Sequence, residues 1–327
     1  MDLDRPRKSL AFRAAEVDAV RVAVITNTDN GKGLQRDCEL LTRLLQAQGH
    51  VVTPVHFQRA RTPGPGSFDL AIFLEVGGKR DARFYDCAPR RWLIPNPEWW
   101  NPADSLEPFE RVLTKTDDAE RVFRQRPDGG DRVRFIGFES EARGAFVPGR
   151  KLGFLHVAGG STCKGTQSIL DAWAQHGIEH PLTVVAFVPG SFRWPRCSAI
   201  RAITSRVTDA QLAEMQRTIP VHLQPSEYEG FGHVIHEGLS VGACVVTTDA
   251  APMRNVDGVA DVVAVTRSWS LGSARMWGVS PAAVAETVRR VAARPPEWFD
   301  ETGRSAVAAF EAQREAFRES FAREMMA

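Results

Sequence analysis

The sequence predicts an α/β protein made of two Rossmann-like units, each a parallel sheet flanked by helices. Three observations carry that prediction. The chain of 327 residues is long for one compact domain and sufficient for two. Short apolar runs recur, several followed by a glycine-containing loop and a stretch of helical period. In the stretch from Pro225 to Val246, flanked by the apolar runs Ile219 to Leu223 and Ala243 to Val246, the order strand, loop, helix, strand is legible at once.

The first half opens with a polar lead-in, Met1 to Val17, in which Arg5-Pro6-Arg7-Lys8 is a local basic patch. Arg21 to Thr26 reads as a buried parallel strand, followed by the loop Asn27 to Gly33 and a helix over Leu34 to Gln48. This is how a Rossmann-like unit begins, although Gly31-Lys32-Gly33-Leu34-Gln35-Arg36 lacks the third glycine of a dinucleotide fingerprint. Val51 to Val55 and Phe68 to Glu75 supply further strands, the latter ending at Val76-Gly77-Gly78-Lys79. Ligands bind beyond the carboxyl ends of strands in such sheets, so Glu75 to Arg80 is expected to face a cleft. Arg91 to Ile94 leads into Pro95-Asn96-Pro97-Glu98-Trp99-Trp100, whose rings and carboxylate suit either sugar stacking or core packing. Arg111 to Lys115 is a strand, Thr116 caps the helix after it, and Arg134 to Gly137 closes the unit. Ser140 to Lys151 has linker composition, placing a boundary near Gly149.

The second half starts with a strand over Leu152 to Ala158 and the loop Gly159-Gly160-Ser161-Thr162-Cys163-Lys164-Gly165-Thr166, then a helix from Gln167 to Gln175. The loop is not a Walker A motif, because Lys164 precedes Gly165 and the G-K-[ST] order is missing. Leu182 to Val188 is a strand, and Phe192 and Trp194 are candidate base-stacking rings. Helices are expected over Ala210 to Gln216 and Pro281 to Ala293, and a long amphipathic one over Trp298 to Met325.

Glu229 and Glu237 are separated by seven residues within this central stretch, and Gly230 and Gly232 flank Phe231. A helix starting near Gly232 aims its first amides and positive dipole end at the space beyond the strand, which suits a phosphate. Eight positions is close to two turns, so both carboxylates are expected to face one cleft as acceptors for hydroxyls. P-S-E-Y-E-G-F-G-H-V-I-H-E-G, with V-V-T-T-D after it, resembles the E-x7-E signature of family 4 retaining glycosyltransferases.

That resemblance implies the GT-B fold, two Rossmann-like domains facing across a cleft. The expected division is 1-149 on the acceptor side, 150-305 for the nucleotide sugar, and 306-327 as a terminal helix returning to the first domain. A bundle or dimer helix has the same period. The resemblance further implies that Glu237 holds ribose hydroxyls, while Glu229, Ser226 and the amides of Gly230, Phe231 and Gly232 hold sugar and phosphate. Lys164 matches the lysine of the family's phosphate loop, with Gly159, Gly160, Ser161 and Thr162 beside it. Gly160 stands where arginine is usual, so amides of that loop are left to replace its charge. Val207 lies in the segment whose main chain meets the base, and Ala250, Ala251 and Met253 replace the usual two glycines and glutamate. On the acceptor side Asn30, Gly31, Lys32, Gly33 and Glu98 are candidates, the first loop reading equally as a tight turn.

The expected activity is metal-independent transfer of a sugar from a nucleoside diphosphate sugar to a hydroxyl of a glycan, a lipid-linked molecule or a small molecule. Catalysis is assigned to Glu229 and Lys164, with no cofactor beyond the donor. No D-x-D ends a strand, and Asp2-Leu3-Asp4 in the lead-in is a poor metal candidate. Rival readings are a phosphorylase or epimerase of the same architecture, or a silent protein that binds a nucleotide sugar. A net charge of +1 gives no field for nucleic acid. The five cysteines, Cys38, Cys87, Cys163, Cys197 and Cys244, form no C-x-x-C pair and read as reduced thiols of a cytoplasmic protein. No run is long enough to span a membrane, which leaves peripheral contact open.

Overall fold

The computed structural model describes residues 19 to 327 except 30 and 32. The lead-in with its basic patch, Asp2, Asp4 and the site candidates Asn30 and Lys32 lie outside the described residues.

The first lobe is a six-stranded parallel sheet. In chain order it comprises β1 (Arg21–Thr26), α1 (Gly33–Ala47), β2 (Val51–His56), β3 (Leu70–Leu74), β4 (Arg90–Ile94), β5 (Arg111–Thr114), α2 (Asp117–Arg124) and β6 (Val133–Phe135). The spatial order is β2-β1-β3-β4-β5-β6. Strands β3 and β4 carry apolar side chains on both faces because the sheet is covered on both. Strand β2 holds Pro54 and lies at the edge, where a missing N–H costs no ladder bond. Helix α1 buries Leu34, Cys38, Leu41 and Leu45, spaced as one face of a helix, and Asp37 lies among them.

The second lobe contains β7 (Phe154–Gly159), α3 (Thr166–Gln175), β8 (Leu182–Ala186), β9 (Ile200–Ile203), α4 (Asp209–Thr218), β10 (Val221–Gln224), α5 (His233–Ser240), β11 (Cys244–Thr248) and β12 (Asp261–Val263). Its sheet is also parallel and six-stranded, in the order β12-β11-β10-β7-β8-β9. Each lobe therefore has one place where consecutive crossovers run in opposite directions. These switch points are between β1 and β3 in the first sheet and between β7 and β10 in the second.

An antiparallel hairpin follows, β13 (Val265–Leu271) and β14 (Ala274–Val279), then α6 (Pro281–Ala292) and α7 (Pro296–Met326). The hairpin, β9 and β12 are absent from the sequence expectations. In the hairpin Arg267 covers Trp269 and Arg275 covers Trp277, so the aromatic positions are masked by charge in the sequence. Its tip reaches the first lobe, where Ser273 N–H donates to the Pro97 carbonyl at 2.8 Å.

Helix α7 touches both lobes. Ala306 and Phe310 pack with Leu239 and Val245 in the second, while Phe317 and Phe321 join the core of the first. Arg111 Nη1 donates to the Glu324 carbonyl at 2.7 Å near its end. Among the described residues no helix is long and apolar enough to cross a membrane.

Candidate functional site

Two helices of the second lobe start on left-handed glycines, and α7 starts on Pro295, also without a capping side chain. Helices α2, α4 and α6 are capped by the side chains of Thr116, Thr208 and Ser280, and α4 has a full capping box with Gln211. Helices α3 and α5, which follow the loops after β7 and β10, have Gly165 and Gly232 as caps, both left-handed and without a capping side chain. Their N-termini thus offer backbone amides and the positive end of the helix dipole at one switch point. The two loops pack tightly: a Cβ on Gly165 would lie 2.4 Å from the Pro225 carbonyl oxygen.

Lys164 and Glu229 meet there. Lys164 Nζ lies 2.5 Å from Glu229 Oε1, and Ser226 Oγ donates to the same oxygen at 2.5 Å. Ser226 is held by Thr248 Oγ1 donating to its carbonyl at 2.6 Å. The Lys164 side chain retains 18% exposure, so the ammonium borders solvent while the carboxylate is nearly enclosed at 8%. Gly159, Gly160, Ser161 and Thr162 form the turn after β7, tied by Ser161 N–H to the Ala158 carbonyl at 3.1 Å and by Cys163 N–H to Ser161 Oγ at 3.2 Å.

Glu237 is placed differently from the two-turn expectation. Helix α5 begins at His233, so Glu229 precedes it and only Glu237 is helical. Its carboxylate is buried and engaged by protein: Arg143 Nη2 donates to Oε1 at 2.5 Å and Gln216 Nε2 to Oε2 at 2.9 Å. Arg36 of the first lobe approaches Oε1 at 3.6 Å. Val207 packs beside Leu155 and Val157 just ahead of the α4 cap. Phe192 and Trp194 pack against the second lobe's core and contact each other edge to face.

The first lobe closes over this switch point. Phe231 inserts into the first lobe's core, edge-on to Phe138 at 5.5 Å and stacked on His236 at 4.1 Å. A Cβ on Gly230 would fall 2.3 Å from Asn96 Cγ, so only glycine permits this approach. Gly31 and Gly33 also face across: their ideal Cβ positions lie 3.1 Å from Arg206 Nη1 and 3.6 Å from His233 Cδ2. His233 Nε2 contacts Asp37 Oδ1 at 2.7 Å, and Ser140 Oγ lies 2.9 Å from its Nδ1. Tyr228 donates to Asp118 Oδ2 at 2.9 Å.

Around this seam sit Glu75 and Glu98, both expected from the sequence to face the cleft, together with Lys115, Asp37 and Arg206, which sequence reading did not single out. Lys115 is buried and bonds Asp37 Oδ2 at 2.7 Å. Burial raises the Asp37 carboxyl, but the Lys115 ammonium and the His233 bond outweigh it and hold its pKa below the usual carboxylate value. Glu75, the non-glycine residue with positive φ (60°) among the described residues, accepts a bond from Asn96 Nδ2. Burial, partly offset by Lys115, pushes Glu75 up to about 7; burial and the charge of Glu75 push Glu98 up to about 8. Of the paired tryptophans, Trp100 is core, edge-on to Phe123, whereas Trp99 is exposed. Arg206 stacks on Phe187 and has no ion-pair partner among the described residues. The place of Glu75 after a strand marked it in the sequence as facing a cleft; nothing local marks Lys115 or Arg206.

His156 is structural. Its Nδ1–H donates to the Leu223 carbonyl at 2.8 Å and Nε2 accepts from Thr166 Oγ1 at 2.9 Å, while burial pushes its pKa down to about 4. A surface depression of about 780 Å³ bordered by Glu110 and Arg132 lies at the amino ends of β5 and β6 and shares no residue with the seam.

No protein-family model and no curated protein matches this sequence. Solved structures do match over nearly the whole chain. HepE from Anabaena, in complex with UDP and glucose, superposes with TM-score 0.69 at 12% identity, covering 94% of this chain and 100% of that one. Sucrose-phosphate synthase from Thermosynechococcus elongatus gives 0.68 at 13%, covering 94% and 98%. The fold is GT-B. WaaG, a glycosyltransferase involved in lipopolysaccharide biosynthesis, shares the GT-B architecture with TM-score 0.62, 16% identity and coverage of 92% and 98%. At these identities the likeness defines the architecture of the two lobes and their facing switch points.

Proposed function

We propose that the chain is a retaining glycosyltransferase that moves a sugar from a nucleoside diphosphate sugar to a hydroxyl acceptor, using its own cations and amides in place of a metal. One observation carries this reading: at the switch point of the second sheet, two uncapped helix N-termini converge on the Lys164–Glu229 pair. The similar structure of HepE was solved with UDP and glucose, which fits a nucleotide sugar there. The helix-mouth amides and Lys164 would receive the diphosphate, whose charge grows as the bond from the anomeric carbon to the phosphate oxygen breaks. The acceptor oxygen would bond to that carbon from the same face, its proton passing to the departing phosphate. Glu229, oriented by Ser226, would bind sugar hydroxyls. Enclosure by Phe231 and the first lobe would limit hydrolysis.

Arg206 would replace the cation lost at Gly160: it lies over the Phe187 ring that borders Gly159, faces Gly31, and has no carboxylate partner among the described residues. Donor identity is read by a thermal-shift panel of nucleotide sugars, in which a bound donor raises the melting temperature by mass action. With the donor found, Lys164→Ala and Glu229→Gln are expected to lower transfer by about 100-fold or more with unchanged circular dichroism. Nuclear magnetic resonance of the product reads the anomeric configuration, and inversion would refute the retaining assignment. A second reading, a silent nucleotide-sugar binder, is favoured by one observation: both Glu237 oxygens are already taken by Arg143 and Gln216. Donor binding with no transfer to any acceptor in the wild type would select it.

A further inference from the structure

The first sheet has its own switch point, between β1 and β3, and the residues just beyond the strands there form a group. Asn27 follows β1, Glu75 follows β3 and Asn96 lies two residues after β4; Glu98 is on the same loop as Asn96. Strands β1, β3 and β4 are adjacent in the sheet, so these loops share one crevice. It opens toward the second lobe, since Asn96 abuts Gly230 and Glu98 feels the charge of Glu229.

Four buried side-chain atoms on these loops have no hydrogen-bond partner: Asn27 Oδ1, Asn96 Oδ1, Glu98 Oε2 and Trp100 Nε1. Three are oxygens; the fourth belongs to a ring packed in the core against Phe123. The Asn96 amide nitrogen is committed to Glu75, which leaves the Asn96 oxygen as a pure acceptor. Orphaned buried polar atoms are costly; the two asparagine oxygens can only accept and so call for donors, while the buried Glu98 carboxyl, when protonated, offers a hydrogen as well as lone pairs, a combination that hydroxyl groups satisfy. Glu75 adds a backbone in the left-handed region, a conformation that a glutamate adopts only when its surroundings hold it there.

The charge balance narrows the choice. Glu75, Glu98 and Asp37 contribute carboxyl groups, and the described cation facing them is Lys115, bound to Asp37. His233 is likewise bound to Asp37. Arg36 is engaged by Glu141 at 2.5 Å and by Asp209 at 3.2 Å, and Arg206 lies across the seam against Phe187. A phosphate or carboxylate brought into this crevice would meet acceptor oxygens and carboxyl groups. A hydroxyl would meet partners.

We infer that the crevice formed by Asn27, Glu75, Asn96 and Glu98 binds an uncharged, hydroxyl-donating sugar ring, so the acceptor carries no phosphate or carboxylate on the ring held there. This names the acceptor class and rests on the reading of the second lobe as the donor half.

The test is binding of matched pairs, a methyl glycoside against the corresponding sugar 6-phosphate, to the full chain with and without saturating UDP, by saturation-transfer difference NMR. UDP binding is followed separately by thermal shift. The free sugar is expected to bind at least about tenfold more tightly than its ester. Asn27→Ala and Glu98→Ala are each expected to weaken it at least fivefold, while the UDP-induced shift is retained. Tighter binding of the phosphate ester, or sugar affinity unchanged in both variants, overturns the inference. Loss of the UDP shift with sugar binding intact would strike the donor assignment and leave the crevice standing. Glu98→Gln keeps the shape of the side chain, so its effect on affinity replaces that of Glu98→Ala should the latter fail to fold.

Discussion

Lys115 and Lys164 are the same residue type, each within 2.7 Å of a carboxylate at the switch point of a parallel sheet, yet they face opposite demands. Lys115 is 3% exposed and its partner Asp37 5%; the pair lies in the acid-rich crevice of the first lobe. Lys164 stays partly exposed among glycines and uncapped amides. The first ammonium neutralises what the fold has already buried. The second is held in place yet reachable, as the proposed exchange of a carboxylate for an incoming anion requires.

The comparison is tested most severely by removing each charge in turn. Lys115→Met leaves Asp37 ionised beside Glu75 and Glu98 and is expected to cost about 3–5 kcal/mol of stability. Lys164→Met should cost less, about 1–2 kcal/mol, because the ammonium borders solvent and the enclosed Glu229 keeps its bond from Ser226. Urea denaturation of both variants measures the contrast, and equal losses would erase it. Next in size is Gly230→Ala, whose new methyl collides with Asn96 where the lobes meet. The expected loss is about 1–3 kcal/mol by the same measurement.

A pH series sharpens the account of the acidic crevice. In the folded protein Glu98 keeps its proton up to about 8, whereas the unfolded chain releases it near the ordinary value of 4.5. Between those values the folded state binds the extra proton, so this group's contribution to stability falls as pH rises. Glu98→Gln removes that slope, and the variant should gain melting temperature relative to the wild type between pH 5 and pH 8. Parallel curves would show that Glu98 titrates normally. The smallest effect belongs to Arg206→Ala, expected to weaken UDP binding about threefold at low salt and less at high salt, because an exposed guanidinium is screened. Calorimetric titration at two ionic strengths measures it.

The legible parts of this molecule were those written by local pattern. Strands such as Leu70–Leu74 are buried on both faces and read as unbroken apolar runs. The second crevice was visible because its loop and helix are contiguous, with Glu229, the glycines and Glu237 inside nine residues. Of the first crevice the sequence showed only separate pieces, Glu75 facing a cleft and Glu98 on the acceptor side, because Asn27, Glu75 and Asn96 follow three strands far apart in sequence and are joined only by the sheet order. Arg143 could not be assigned to Glu237 from the sequence for the same reason. The hairpin escaped because Trp269 stands between two serines and few of its apolar positions are buried, Ala274 and Met276 packing with Tyr228 of the same lobe.

Helix α7 has 31 residues, about 45 Å of rod at 1.5 Å per residue. One end is seated on the second lobe through Ala306 and Phe310, the other on the first through Phe317 and Phe321. A strut fixed at both ends sets how far the jaws can part. To widen the gap, the protein must either flex that strut between residues 311 and 316 or pull two phenylalanines out of the opposite core, so the carboxyl-terminal rod governs how readily a substrate enters.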